Sequence, residues 1–292
     1  MNELTITHTS TVTEDQIDHL GHMNVRYYAV NARAATTSLL AGLGWAEPGN
    51  ADVDDMYTRH HREQLLGAHL EVRSGVIAAD SNSIRLYHEL ANAASGELAA
   101  TFVYRVRTSS RAPLDHLDTV EVPAHGAPRS IDLDAELSAP PLAQVQDLAL
   151  AMRAPRTLGP DDMGGSSTVA SDMVPMLIWG GAAADGEEFE LIHTGPEGQP
   201  VGWATMETRI GIVRLPEIAT RIQSFGATTA LAEKTSHMAM WAYDLDRGDI
   251  LVSFEVVSLL FDIGARRAIP IPDDLRAEHA RTLHPSLGSR DD

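Results

Sequence analysis

Between Asn24 and Leu43, small and apolar side chains recur every three or four residues: Val25, Tyr28, Ala29, Ala32, Ala35, Thr36, Leu39, Leu40 and Leu43. A single stripe with that spacing predicts an amphipathic helix of about five turns. Asn24 is a suitable cap for its start, and Gly42 and Gly44 can end it. Upstream, Leu4 to Thr9 alternates apolar with polar positions, which predicts a short edge strand. Downstream, strand patterns follow one another at hairpin distances: His60 to Val72, continued by Ser74 to Ala79 after a bend at Gly75, then Ser83 to Leu90 and Leu98 to Thr108. A long helix followed by an antiparallel meander is an α+β plan.

The pattern then breaks. Pro113, Pro123, Pro128, Pro140 and Pro141 punctuate a stretch with scattered acidic residues, which suits a connection between domains. Beyond it the order repeats. A loop with Asp161, Asp162, Gly164 and Gly165 precedes a helical pattern from Thr168 to Ala184, with Pro175 as a kink or as the true start. Strand patterns at Gly202 to Val213, Ile218 to Phe225, Thr235 to Tyr243 and Ile250 to Leu260 close the chain. The expected organisation is a domain over residues 1–112, a connection over 113–152 and a second domain over 153–292.

Composition narrows the chemistry. The 292 residues include no cysteine, which removes disulfides, thiolate metal sites and a cysteine nucleophile together. A net charge of −19 argues against nucleic-acid binding, because few cations are left to replace phosphate counterions. Lys234 is the only lysine. No apolar run is long enough to span a membrane, and the start lacks the basic and apolar segments of a secretory signal. The expected location is the cytoplasm, with no membrane partner.

The candidate chemistry lies in Asp18-His19-Leu20-Gly21-His22-Met23-Asn24-Val25-Arg26-Tyr27-Tyr28. This stretch places a carboxylate, a glycine and polar side chains in the loop that feeds a helix start. Free amides there carry partial positive charge and can polarise a carbonyl oxygen under attack. Asp18 is placed to attack or to activate water. The residues alone leave a second reading open, in which Asn24 caps, Gly21 turns, and Asp18 and His22 decorate a polar loop.

The same stretch resembles the signature of hotdog-fold acyl-CoA thioesterases of the 4-hydroxybenzoyl-CoA thioesterase-like kind, Asp-x-x-Gly-His-(Val or Met)-Asn-Asn-x-x-Tyr. Asp18, Gly21, His22, Met23, Asn24 and Tyr28 are in register, and Val25 departs where a second asparagine is usual. Arg62-Glu63-Gln64-Leu65-Leu66-Gly67 is similar to the family's Arg-Glu-x-x-x-Gly, expected on a central strand. The resemblance implies two tandem hotdog domains, each a long central helix wrapped by an antiparallel sheet, and an acyl-CoA or acyl-carrier-protein thioesterase. It implies a catalytic set of Asp18 as nucleophile or general base, Asn24, and Glu63 as a second base or water anchor. Gly21, His22 and Tyr28 would bind substrate, and the amides near Gly21 to Asn24 would form the oxyanion site.

In such folds domains pair with active sites at their junction, so one intact signature can serve a fused pair, and a homodimer of fused chains is compatible with the arrangement. No metal and no cofactor is implied beyond coenzyme A as part of the substrate. Two other functions compete: a hotdog hydratase or dehydratase, whose Asp-x-Asn-Pro-x-His arrangement is not matched, and a non-catalytic acyl-thioester-binding protein.

The second half carries Asp161 to Thr168 where the signature would stand, without its histidine and asparagine. Asp162 and Glu207 are its polar candidates. Ser166 and Ser167 form no nucleophile elbow. His19 and His22 lack a credible third metal ligand, and Arg105, Arg107 and Arg111 are candidates for a coenzyme A phosphate.

Overall fold

The computed structural model describes residues 3–18, 20–107, 117–165, 168–186 and 192–289. His19, Arg111, Ser166 and Ser167 therefore lie outside the described residues. The chain forms two compact units, Met1–Arg129 and Ser130–Asp292.

In the first unit, β1 (Thr5–Thr11) leads through the Asp18 loop into α1 (Val25–Gly42). Four strands follow: β2 (Asp52–His60), β3 (His69–Ala79), β4 (Ser83–Asn92) and β5 (Leu98–Arg107). They pair antiparallel in the order β1-β3-β4-β5-β2. The buried face of α1 consists of Tyr28, Asn31, Ala32, Ala35, Thr36 and Leu40, and it packs on β1, β3 and β4. The small side chains let the helix sit close to β3 and β4, strands that carry the buried Val72, Leu86 and Leu90. Residues 117–129 lie back on this sheet. Val120 donates its N–H to the Val76 carbonyl at 2.8 Å, and Arg59 Nη1 donates to the carbonyls of His125 and Ala127 at 3.2 and 2.9 Å.

The second unit opens with α2 (Leu142–Asp147), β6 (Arg156–Thr157), α3 (Pro175–Trp179) and β7 (Ile192–Thr194). Then come β8 (Pro200–Ile212), β9 (Arg221–Leu231), β10 (Thr235–Asp244), β11 (Asp249–Asp262), β12 (Arg267–Ala268) and α4 (Asp273–Arg281). Antiparallel pairing gives β8-β11-β10-β9-β6, with β7 on β8 and β12 on β11. Its core gathers Val145, Leu150, Phe225, Trp241, Tyr243 and Leu287. Residues 130–140 are fastened to this sheet: Trp241 Nε1 and Ser253 Oγ both donate to the Ser138 carbonyl, at 2.7 and 2.9 Å.

Two expectations require correction. Among the described residues, a long central helix exists in the first unit only. From Thr168 to Ala184 the structure has a 3-10 turn (Ser171–Met173) and then the five-residue α3, which starts at Pro175. Proline has no N–H to give and its ring crowds the preceding turn, so no helix runs through it; Gly181, at φ +94°, turns the chain away at the other end. The α+β class stands, with one long helix rather than two. The second correction concerns Arg62 to Gly67, which forms a loop between β2 and β3 and not a central strand. His61 and Arg62 both donate to the Ala99 carbonyl, at 2.8 and 3.1 Å, so the ladder ends there.

Candidate active site

The Asp18 loop closes on itself. Asp18 donates its N–H to the His22 carbonyl at 2.9 Å, and Gly21 donates to the Asp18 carbonyl at 3.0 Å. Gly21 sits at φ +85°, a left-handed conformation that a side chain would strain. The loop is also tied to the segment before β3: Met23 donates its N–H to the Gln64 carbonyl at 2.7 Å. Gln64 is buried, and its Oε1 accepts from Asn92 Nδ2 at 3.1 Å. Tyr28, from the first turn of α1, donates its hydroxyl to the Arg62 carbonyl at 3.0 Å.

These ties bring three ionisable side chains into a line. Asp18 Oδ2 lies 3.2 Å from His22 Nδ1, and His22 Nε2 lies 3.5 Å from Glu63 Oε1. Exposure rises along the line, with 14% for the Asp18 side chain, 17% for His22 and 38% for Glu63. The other oxygen of Asp18, Oδ1, accepts from the Leu20 N–H at 2.9 Å. Asp18 is thus oriented by the backbone on one side and by an imidazole on the other, while Glu63 meets solvent. Around them Leu20, Val25, Leu65 and Leu66 are exposed apolar side chains.

Each residue nominated from the sequence has a definite place. Asn24 caps α1: its Oδ1 accepts from the Arg26 N–H at 3.0 Å. Tyr28 is buried with its ring edge-on to His60, at 5.1 Å between centroids. Burial, with the Asp18 charge adding to it, pushes its hydroxyl up to about 12, so it stays protonated. The amides of Gly21, Met23 and Asn24 are engaged by the carbonyls of Asp18, Gln64 and Gln16. Val25, the first helical residue, has no hydrogen-bond partner for its N–H among the described residues. Sequence reasoning missed Gln64, the buried clamp between the two loops, because a glutamine beside a glutamate reads as solvated.

Elsewhere the nominated groups are used by the framework. Asp54, almost fully buried, takes Arg105 through Nε at 2.8 Å and Nη2 at 3.1 Å, and Arg107 through Nε at 2.7 Å. Those two arginines therefore meet a carboxylate of their own sheet, Asp54, rather than standing free for a coenzyme A phosphate. Asp162 is held by Arg156 at 2.6 Å, and the buried Glu207 accepts the Ser130 N–H at 3.1 Å. No group of three or more His, Cys, Asp or Glu among the described residues could hold a metal ion. No described helix is long and apolar enough to cross a membrane.

Residues 12–114, which span the Asp18 loop, α1 and the Glu63 loop, match the family model described as the thioesterase-like superfamily. The first unit carries a thioesterase-like domain. This match supports thioester hydrolase as the enzyme class. No curated protein sequence matches the chain. Among solved structures, an acyl-ACP thioesterase from Bacteroides thetaiotaomicron superposes with a TM-score of 0.60 at 9% identity, over 86% of this chain and 96% of that one. The 12:0-ACP thioesterase from Umbellularia californica superposes with a TM-score of 0.58 at 12% identity, over 86% of this chain and 95% of that one. At such identities the likeness is one of fold, and the thioesterase-like assignment of this chain rests on its first unit.

Proposed function

We propose that this thioesterase-like protein hydrolyses an acyl thioester of coenzyme A or an acyl-carrier protein, using Asp18 as nucleophile or general base. The observation that carries the reading is the Asp18–His22–Glu63 line at the start of α1, with contacts of 3.2 and 3.5 Å. A thioester carbonyl placed at the helix start would meet the Val25 N–H, which can stabilise the oxyanion as charge develops. As general base, Asp18 takes a proton from the attacking water; as nucleophile, it forms an anhydride that water then opens. In either route the thiolate leaves and takes up a proton, for which the imidazole of His22 is the nearest shuttle. Leu20, Leu65 and Leu66 offer apolar surface to the uncharged part of the substrate. The carrier-protein option gains support from the fold shared with two acyl-ACP thioesterases.

The test is a panel of acyl-CoA and acyl-carrier-protein thioesters, read by free thiol and by mass spectrometry of the acyl product. One thiol released per free acid formed is the expected result. An acyl chain that gains or loses water while its thioester survives would replace hydrolysis by hydration chemistry. Binding without either product would make the protein a thioester-binding module.

A further inference from the structure

The second unit contains a cleft that the proposed chemistry does not use. Its volume is about 530 Å³, within the range of small-ligand sites. Its lining includes an apolar run, Ala268-Ile269-Pro270-Ile271-Pro272, which we take as its floor, and the charged residues Lys234, Arg267 and Glu197. Lys234 lies in the turn between β9 and β10, and Arg267 opens β12.

Charge pairing sets this cleft apart. Nearly every described arginine has an ion pair, a hydrogen bond or a ring contact, as expected in a chain of net charge −19. Lys234, Arg267 and Arg281 are the described cations whose side chains have no such partner among the described residues, and two of the three line this one cleft. A lysine and an arginine without an ion pair among the described residues retain their capacity for an incoming anion.

The walls are preorganised. Arg276 Nη2 donates to the carbonyls of Ala232 and Glu233 at 2.9 and 3.3 Å, which fixes the turn that carries Lys234. Ile271 donates its N–H to the Glu233 carbonyl at 2.8 Å, and Ile269 donates to the Leu260 carbonyl at 3.0 Å, which fixes the floor. The Gly195–Gln199 turn, which contributes Pro196, Glu197 and Gln199 to the lining, closes through a 2.8 Å backbone bond. Ile269 and Ile271 are buried in a core cluster with Val201, Leu260 and Leu275, so the floor does not depend on a ligand for its shape.

We infer that this cleft binds an organic phosphate ester, with the phosphate between Lys234 and Arg267 and an apolar or flat body against the Ile269–Pro272 floor. Glu197 adds one acceptor, which suits a body bearing an N–H donor and disfavours a ligand that is anionic throughout. The inference is independent of the Asp18 chemistry.

Titration calorimetry of the full chain with adenosine 5′-monophosphate, inorganic phosphate and coenzyme A tests it. Saturable nucleotide binding is expected, weakened about tenfold by Lys234→Ala and by Arg267→Ala, the scale of one lost charged contact. Arg281→Ala, which removes the unpaired cation outside the cleft, should leave binding unchanged. No saturable binding, or equal weakening by Arg281→Ala, would overturn the site. Inorganic phosphate binding as tightly as the nucleotide would overturn the ester ligand. A raised KM for acyl-CoA in the two cleft variants would assign the phosphate to the thioester's carrier. An unchanged KM with weakened nucleotide binding would assign it to a free nucleotide, and both results support the cleft.

Discussion

Asp54 illustrates how much a single side chain decides. It is buried, and both its oxygens are taken by Arg105 and Arg107. Removing one partner from a fully buried pair costs about 3–5 kcal/mol. The arginines here are 37% and 50% exposed, so solvent offsets part of that cost. Asp54→Asn is expected to lower stability in urea by about 2–3 kcal/mol. A loss of a few tenths would mean that the pair is a surface feature. A second residue, His88, is fully buried between Ser74 Oγ at 2.6 Å and Thr36 Oγ1 at 3.0 Å. Burial pulls its imidazole down to about 3, and burial with the neighbouring His61 charge pulls His60 to about 4. Below about pH 6.5 the unfolded chain takes up protons that the folded one refuses. Stability is therefore complete above that pH and falls as pH drops toward 3–4. His88→Gln can keep bonds to both hydroxyls without the titration, so its melting temperature should decline less between pH 7 and pH 4. Identical slopes for the two proteins would remove His88 as a cause.

At the scale of elements, the region from residue 117 to 129 behaves as a strap on the first sheet. Gly126 lies against Tyr87, and a Cβ there would overlap the tyrosine hydroxyl. That hydroxyl is fixed, donating to Glu89 Oε1 at 3.0 Å. Gly126→Ala should therefore destabilise the protein by about 1–3 kcal/mol, the scale of overpacking. An unchanged melting temperature would show that the strap can lift without cost. α1 was legible in the sequence because its stripe is long and Asn24 marks its start, and the order of β3, β4 and β5 followed from alternation. The Glu63 loop was not legible. His60 to Val72 reads as one strand by composition, and only the adjacent Leu65 and Leu66, 64% and 61% exposed, break the period. What makes it a loop is non-local, namely the Ala99 carbonyl that ends the ladder and the Met23 amide that claims Gln64. α3 shows the opposite case. Its apolar spacing suggested a longer helix, and Pro175 limited it.

For the whole molecule, the proposed function needs one hydrolytic site in a chain of two compact units. The Asp18–Gly21–His22–Asn24 signature and the Glu63 loop belong to the first unit. In the second, Asp162 and Glu207 are committed to Arg156 and to the Ser130 amide, and the long helix whose start would supply an oxyanion site is reduced to five residues. The order of strands repeats between the units, and the signature residues do not. Thiol release by Asp18→Asn, which keeps the shape of the side chain and removes its charge, measures this most directly. The account predicts a fall of at least about a hundredfold on every thioester the unaltered protein hydrolyses, with circular dichroism unchanged. Release that persists at about half the original rate or more would contradict a single site built on Asp18.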